Sequence, residues 1–177
     1  MLKAIRYLTL LILALFLAIQ CTGNIKSLPS HHEPLKELSW LIGSWQDHDH
    51  DVDFSTTFAW VMDQNYIKQN FTLTTSDHKP LNGEQYIGWD PVRNEVRSWA
   101  FDNDGGYGQA RWSKDGPSWY VTMSYTLADG TRASATHVFT HVDDATYTFS
   151  SLNRDINGSI LPDIGPFTNK RIQPEVK

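Results

Sequence analysis

The sequence predicts an all-β fold: a single antiparallel up-and-down β-barrel of about ten strands, with a short N-terminal helix, preceded by a signal peptide. Three observations carry the prediction. Turn signals recur roughly every 8–12 residues along the body of the chain, each between stretches that alternate apolar and polar side chains. Aromatic residues make up 12% of the chain, and aromatic side chains favour a half-buried pleated surface. No helical period runs past residue 42, and the chain shows no Rossmann glycine pattern, P-loop or internal repeat.

The stretch Gln85–Trp112 shows the pattern most clearly. It reads as three strands broken at Asp90-Pro91 and at Asp104-Gly105-Gly106, and it holds Trp89, Trp99 and Trp112. A two-residue loop at Asp104-Gly105 or at Gly105-Gly106 puts Arg97, Trp99 and Phe101 on one face with Gly108, Ala110 and Trp112. That face is the more apolar, so it is expected to point inward, with the small residues leaving space for the rings.

A chain of 177 residues allows one domain with a core that is stable without staples. The net charge of −5 argues against nucleic acid as the main partner. The expected organisation is a signal peptide at 1–20, a tether at 21–34, the barrel at 35–173 and a tail at 174–177. Lys3 and Arg6 form a positive n-region, and Tyr7–Ile19 is an apolar run of signal-peptide length, short for a transmembrane helix. The single cysteine, Cys21, follows at once, so no intramolecular disulfide is available. Ala18-Ile19-Gln20-Cys21 resembles the lipobox of bacterial lipoproteins, with Gln20 where that box usually has a small residue. The resemblance implies lipidation at Cys21 and a place in the bacterial cell envelope. The protein would be anchored to a membrane and face the periplasm or the outside.

Taken in order, Thr22–Pro34 with His31-His32 reads as a solvated linker. Pro34 opens a short helix whose Leu35, Leu38, Trp40 and Leu41 can meet the barrel, and Gly43 ends it. His48-Asp49-His50-Asp51 is the densest cluster of potential metal ligands. A strand would send His48 and His50 to one side, and two nitrogens do not make a strong zinc site, so an exposed acidic loop is expected and no metal. Strands follow at Phe54–Val61, Tyr66–Thr75, the central three, Trp119–Leu127, Thr131–His141, Thr146–Asn153 and Phe167–Ile172. Trp119, Val121, Met123 and Tyr125 alternate without a break and are expected to point inward.

A short helix running into Trp40-Leu41-Ile42-Gly43-Ser44-Trp45, then an up-and-down strand series with Gly88-Trp89-Asp90-Pro91, resembles the calycin-like barrels: lipocalins, fatty-acid-binding proteins and nitrobindin-like domains. Lipocalins carry a Gly-x-Trp after an N-terminal helix, matched by Gly43-Ser44-Trp45. The chain is also similar, over roughly Leu35–Arg171, to an uncharacterised bacterial domain often found behind SnoaL-like domains. That likeness rests on Ile87–Pro91, on Arg97-Ser98-Trp99 with Phe101-Asp102 and Asp104-Gly105-Gly106, on Ala133-Ser134-Ala135-Thr136, and on Leu161-Pro162-Asp163-Ile164. The expected signal sequence stands where that family carries its SnoaL-like partner. The resemblance implies a barrel; it transfers no chemistry.

An inward Arg97 would meet a ligand carboxylate or stack on a tryptophan, or else form a structural pair with Glu84, Glu95 or a carbonyl. Asp102–Gly106 starts like a calcium loop but lacks the later glutamate, so it is expected to be a turn. For His137 the preceding loop decides. A two-residue Asp129-Gly130 loop turns Arg132, Ser134, Thr136 and Val138 inward, whereas a three-residue Ala128-Asp129-Gly130 loop with a bulge turns Ala133, Ala135, His137 and Phe139 inward. The second gives the more apolar inner face and is preferred. Nitrobindin-like barrels hold haem iron on an inward histidine, so the resemblance makes haem on His137 the alternative to having no cofactor. No Gly-x-Ser-x-Gly elbow is present and Asp143-Asp144 sit at a turn, so catalysis is not expected. The expected function is binding of a small, mainly apolar molecule by Arg97, Trp99, Phe101, Trp112, Trp119, Met123 and His137. A structural or interaction module of the envelope is the alternative.

Overall fold

In the computed structural model of the protein, residues 32–49, 52–75 and 79–172 are described. The apolar run, Cys21, the tether up to His31, the loop tip His50-Asp51 and the tail from 173 lie outside them, as do the side chains of His32, His48 and Asp49. A four-residue helix α1 (His32–Leu35) continues as a 3-10 helix (Lys36–Leu41). Eleven strands follow: β1 (Gly43–Asp49), β2 (Val52–Val61), β3 (Tyr66–Thr75), β4 (Leu81–Asp90), β5 (Glu95–Asp102), β6 (Tyr107–Asp115), β7 (Ser118–Thr126), β8 (Arg132–Asp143), β9 (Thr146–Ile156), β10 (Ser159–Leu161) and β11 (Ile164–Ile172).

Each strand from β1 to β9 pairs antiparallel with the next, and β11 returns between β9 and β1 to close the ring. The result is a closed up-and-down barrel of ten strands, as the sequence predicts. The three residues of β10 lie outside the ring and pair with the end of β9. The expected strand boundaries hold to within a few residues. At the first hairpin β1 runs through Asp49 and β2 starts at Val52, so His48 and Asp49 of the acidic cluster are strand, and His50 and Asp51 lie outside the described residues.

The β5–β6 hairpin departs from expectation. Asp102 N–H donates to the Gly106 carbonyl (3.0 Å) and Phe101 pairs with Tyr107, so the loop is the three residues Asn103-Asp104-Gly105. Gly105 takes φ +96°, a conformation that a side chain disfavours. One residue more than the two-residue loop reverses the parity of β5 against β6. Val96, Ser98 and Ala100 therefore share the inner face with Trp112, Ala110 and Gly108. Arg97, Trp99 and Phe101 point outward, with Phe101 53% exposed. The β7–β8 loop is Ala128-Asp129-Gly130, as preferred, and puts Ala133, Ala135, His137 and Phe139 on the inner face.

The buried core is gathered at one end of the barrel. Leu35, Leu38 and Leu41 of the helical segment are fully buried, together with Trp45, Phe58, Ile67, Ile87 and Tyr147. Trp112, Trp119 and Phe139 complete this layer, with Trp112 stacked on Phe139 at 5.5 Å between centroids. The helical segment is apolar on the side that closes this end and charged on the other, where Glu33 and Lys36 pair. The opposite end, formed by the start of β4, β6 and β8 and the end of β5 and β7, carries no such plug.

Candidate functional site

Beyond Phe139 the inner residues become smaller or more polar, and the lumen opens into a cavity of about 290 Å³. Its apolar walls are Phe54, Phe71, Leu81, Val121, Met123 and Phe149, with Phe139 from the core layer. Ala100 on β5 and Ala110 on β6 leave the space, where larger side chains would fill it, while Gly108 makes room for the Tyr125 ring. The hydrophobic alternation of β2, β3 and β7 thus builds the walls, and the small residues of the central hairpin set the width.

One wall is polar and ordered. Gln85 Nε2 donates to Gln69 Oε1 (3.1 Å), Gln69 Nε2 donates to Thr56 Oγ1 (3.1 Å), and Thr56 Oγ1 donates to the Asn70 carbonyl (2.9 Å). Trp112 Nε1 donates to Ser98 Oγ (2.9 Å), and Ser98 lines the lumen.

The rim is held by Asp102. Its Oδ1 accepts the Asp104 and Gly106 amides (2.9 and 2.8 Å), and its Oδ2 accepts the Tyr125 hydroxyl (2.7 Å). Burial alone would push this carboxyl up; the Tyr125 hydroxyl and the loop amides outweigh it and hold it below the ordinary aspartate value. Tyr125 is raised by burial and by the neighbouring charge of Asp102. What looks in sequence like the start of a calcium loop is therefore a turn built around its own aspartate.

A second lobe of about 250 Å³ abuts the first between β8, β9, β10 and the start of β11. Met123, His137 and Phe149 line both lobes and form the partition. The lobe exists because β9 bulges. Asn153 takes φ +50°, the pairing with β8 slips between Thr136 and Ser134, and Asp163 Oδ1 accepts the Asn153 amide (2.8 Å). Ala133–Thr136 and Leu161–Ile164, two of the stretches singled out in the sequence, meet here. The neighbouring Arg154 lines the lobe with Nη1 donating to the Pro162 carbonyl (2.8 Å).

His137 is neutral: burial and then the positive charge of Arg154 hold its pKa down at about 4. Its ring meets Phe149 edge-on at 5.1 Å. A neutral imidazole could ligate iron, but the space beside it is split by Met123 and Phe149 into two lobes and offers no single slot for a planar macrocycle. The residues do not fit haem. Among the described residues no group of three or more His, Cys, Asp or Glu could hold a metal ion.

Of the residues expected to bind a ligand, Met123 and His137 line the lumen. Trp112 and Trp119 lie one layer deeper, behind Phe139, as core. Arg97, Trp99 and Phe101 are on the outer wall. Arg97 donates from Nη1 to Glu95 Oε1 (3.1 Å) and from Nη2 to Gln109 Oε1 (3.1 Å), the structural pairing that was its alternative. The sequence reading missed Phe54, Gln69, Phe71, Gln85, Phe149 and Arg154 as lumen residues. The alternation of β2 and β3 pointed to Phe54 and Phe71; nothing local points to Arg154, whose place depends on the bulge. No protein-family model matches this chain, and no curated protein matches it.

Proposed function

We propose that this protein is a lipid-anchored protein of the bacterial envelope that binds a small, mainly apolar molecule inside its barrel. The observation that supports binding is the uneven filling of the lumen. Aromatic and leucine side chains pack the helix-capped half solid, while Ala100 and Ala110 on β5 and β6 keep the other half free. A barrel that served as a scaffold alone gains nothing from that vacancy, since unfilled apolar volume costs stability. The free volume sits at the lower end of the range for small-molecule sites, which suits a compact ligand. The envelope assignment is supported by the apolar run ending beside Cys21.

Native mass spectrometry of the gently purified protein tests the binding: a co-purified compound should be present, and Ala100→Phe, which fills the cavity, should remove it. Absence of any bound species, with no binding by octanoate, octan-1-ol or naphthalene in calorimetry, would leave the barrel as a scaffold. Membrane fractionation tests the anchor separately, since Cys21→Ser should move the protein to the soluble fraction. A second reading, an interaction module, is favoured by one feature: Trp99, Phe101 and Tyr107 are exposed together on the outer wall, with Phe101 directly opposite Tyr107.

A further inference from the structure

We infer that Tyr147 and Asn169 form an internal hydration site at the seam between β1 and β11, where water bound between the strands bridges the phenol and the amide. The site stands apart from whatever the lumen binds, since neither residue lines either lobe.

Tyr147 is 0% exposed and Asn169 is 1% exposed. Yet Tyr147 Oη and both polar atoms of the Asn169 amide, Nδ2 and Oδ1, make no hydrogen bond among the described residues. The two residues pair directly across β9 and β11, so their side chains leave the sheet on the same face, one strand apart. His141 follows in the same row on β8, with its ring against Trp40 (4.9 Å between centroids) and its Nε2 also unpartnered. Buried amides and phenols left dry are costly, and native proteins satisfy nearly all of them with protein groups or ordered water. Here the chain supplies no partner.

The wall beside Asn169 is parted. β11 pairs with β1 only where Lys170, Arg171 and Ile172 face Gln46, Trp45 and Ser44. The ladder therefore stops one residue short of Asn169. At that point a cleft of about 420 Å³ opens, lined by Gln46, Asp47, Thr168 and Lys170, so it borders Asn169 on both sides along the chain. Asp47 connects cleft and core: after burial, its charge is the second cause that raises the Tyr147 hydroxyl. Water has a route to the row from this cleft.

The chemistry of the row selects water over an ion. Asn169 Nδ2 needs an acceptor and Oδ1 needs a donor, and turning the amide over exchanges these needs without removing either. A cation would serve the oxygens and leave Nδ2 bare. An anion would leave Oδ1 bare and meet the charge of Asp47. The cations of the cleft are engaged elsewhere, Lys170 on Thr146 Oγ1 (2.9 Å) and Arg171 on three backbone carbonyls. Water both donates and accepts, and a buried water typically makes about three hydrogen bonds, which matches the three open atoms of Tyr147 and Asn169.

High-resolution crystallography of the wild-type protein tests the site and needs no variant to fold. Ordered water should stand within about 3.2 Å of Tyr147 Oη and of the Asn169 amide. Density there for a cation or an organic group, or no density at all, would overturn the inference. Urea unfolding supplies a test of sign. Tyr147→Phe keeps the ring against Trp45 and should lower the urea midpoint, because it removes a hydroxyl that water satisfies. A hydroxyl with no partner is better lost, so an unchanged or higher midpoint would overturn the site. In an Asn169→Leu background the bridge is already broken, and Tyr147→Phe should then shift the midpoint by about half as much or less. Equal shifts in the two backgrounds would also overturn it.

Discussion

The guanidinium of Arg171 lies 4.0 Å above the centre of the Trp45 ring. From there it donates to the carbonyls of Ile42 (2.6 Å), Trp40 (2.8 Å) and Asp144 (2.6 Å). Trp45 in turn donates from Nε1 to the Leu41 carbonyl (2.7 Å). The last strand is thereby fastened to the first and to the end of the 3-10 helix, whose carbonyls would otherwise lack partners. Gly43 belongs to the same device, because a Cβ there would run into Arg171 Nη1 and its φ of +128° disfavours a side chain. Arg171→Lys keeps the charge and loses the fork. It should cost about 3 kcal/mol in urea unfolding. A loss under about 1 kcal/mol would show that the closure does not depend on it.

The faces of the barrel can be tested by moving one charge. Val121 is 2% exposed and faces the core layer, so Val121→Asp buries a carboxylate without a partner and should cost about 4 kcal/mol or prevent folding. Phe101→Asp places the same group on the outer wall and should change stability by less than about 1 kcal/mol. Similar thermal stability for the two variants would invert the assignment.

Asp102 ties the β5–β6 loop to β7 through the Tyr125 hydroxyl. Asp102→Ala removes the acceptor for two amides and that hydroxyl, and should cost about 2 kcal/mol. Tyr125→Phe should cost less, because the loop amides keep their acceptor. Chemical denaturation of both variants checks the order; a larger loss for Tyr125→Phe contradicts it.

His137 makes folding sensitive to mild acid. Its pKa of about 4 in the folded chain lies below the ordinary 6.5, so the unfolded chain binds the proton first as pH falls. Stability is full above about pH 6.5 and declines between there and about pH 4, by up to about 3 kcal/mol. The aspartates held low, Asp90, Asp102, Asp129 and Asp143, lose their contribution only further down, below the ordinary 3.8. Urea midpoints at pH 7 and pH 4.5 should therefore diverge in the wild type and converge in His137→Leu. An equal drop in both proteins would assign the loss to other groups.

The closed barrel was legible because alternation and turn residues are local signals, and ten of the eleven strands carry them. The faces were legible only where the loop length could be inferred. Asn103-Asp104-Gly105 and Ala128-Asp129-Gly130 have the same form, three residues ending in Asp-Gly, with glycine at φ +96° and +86°. The second was read correctly because the apolarity of β8 chose between registers. In the first, Gly105-Gly106 admits several loops, and Arg97, Trp99 and Phe101 outweigh Val96, Ser98 and Ala100 in apolar mass. The deciding contacts are distant in sequence: Tyr125 on Asp102, and Asn103 paired with Asn82 through N–H to carbonyl (2.9 Å). Short β10 and the β9 bulge escaped for the same reason. Both depend on Asp163 reaching Asn153, and with them went Arg154 and the second lobe.

Confining the packed layer to the helix-capped end has a consequence for motion. Amide protons near Trp45, Ile67, Val96 and Phe139 are shielded by the whole core, so they exchange with solvent only when the entire molecule unfolds. Those at the other end, along the start of β4 and β8 and the far part of β9, sit in the same ladders but beyond the packed layer, and should open at a fraction of that free energy. The wall around the lumen should therefore part and close many times within the life of one folded molecule while the Arg171 clasp stays shut.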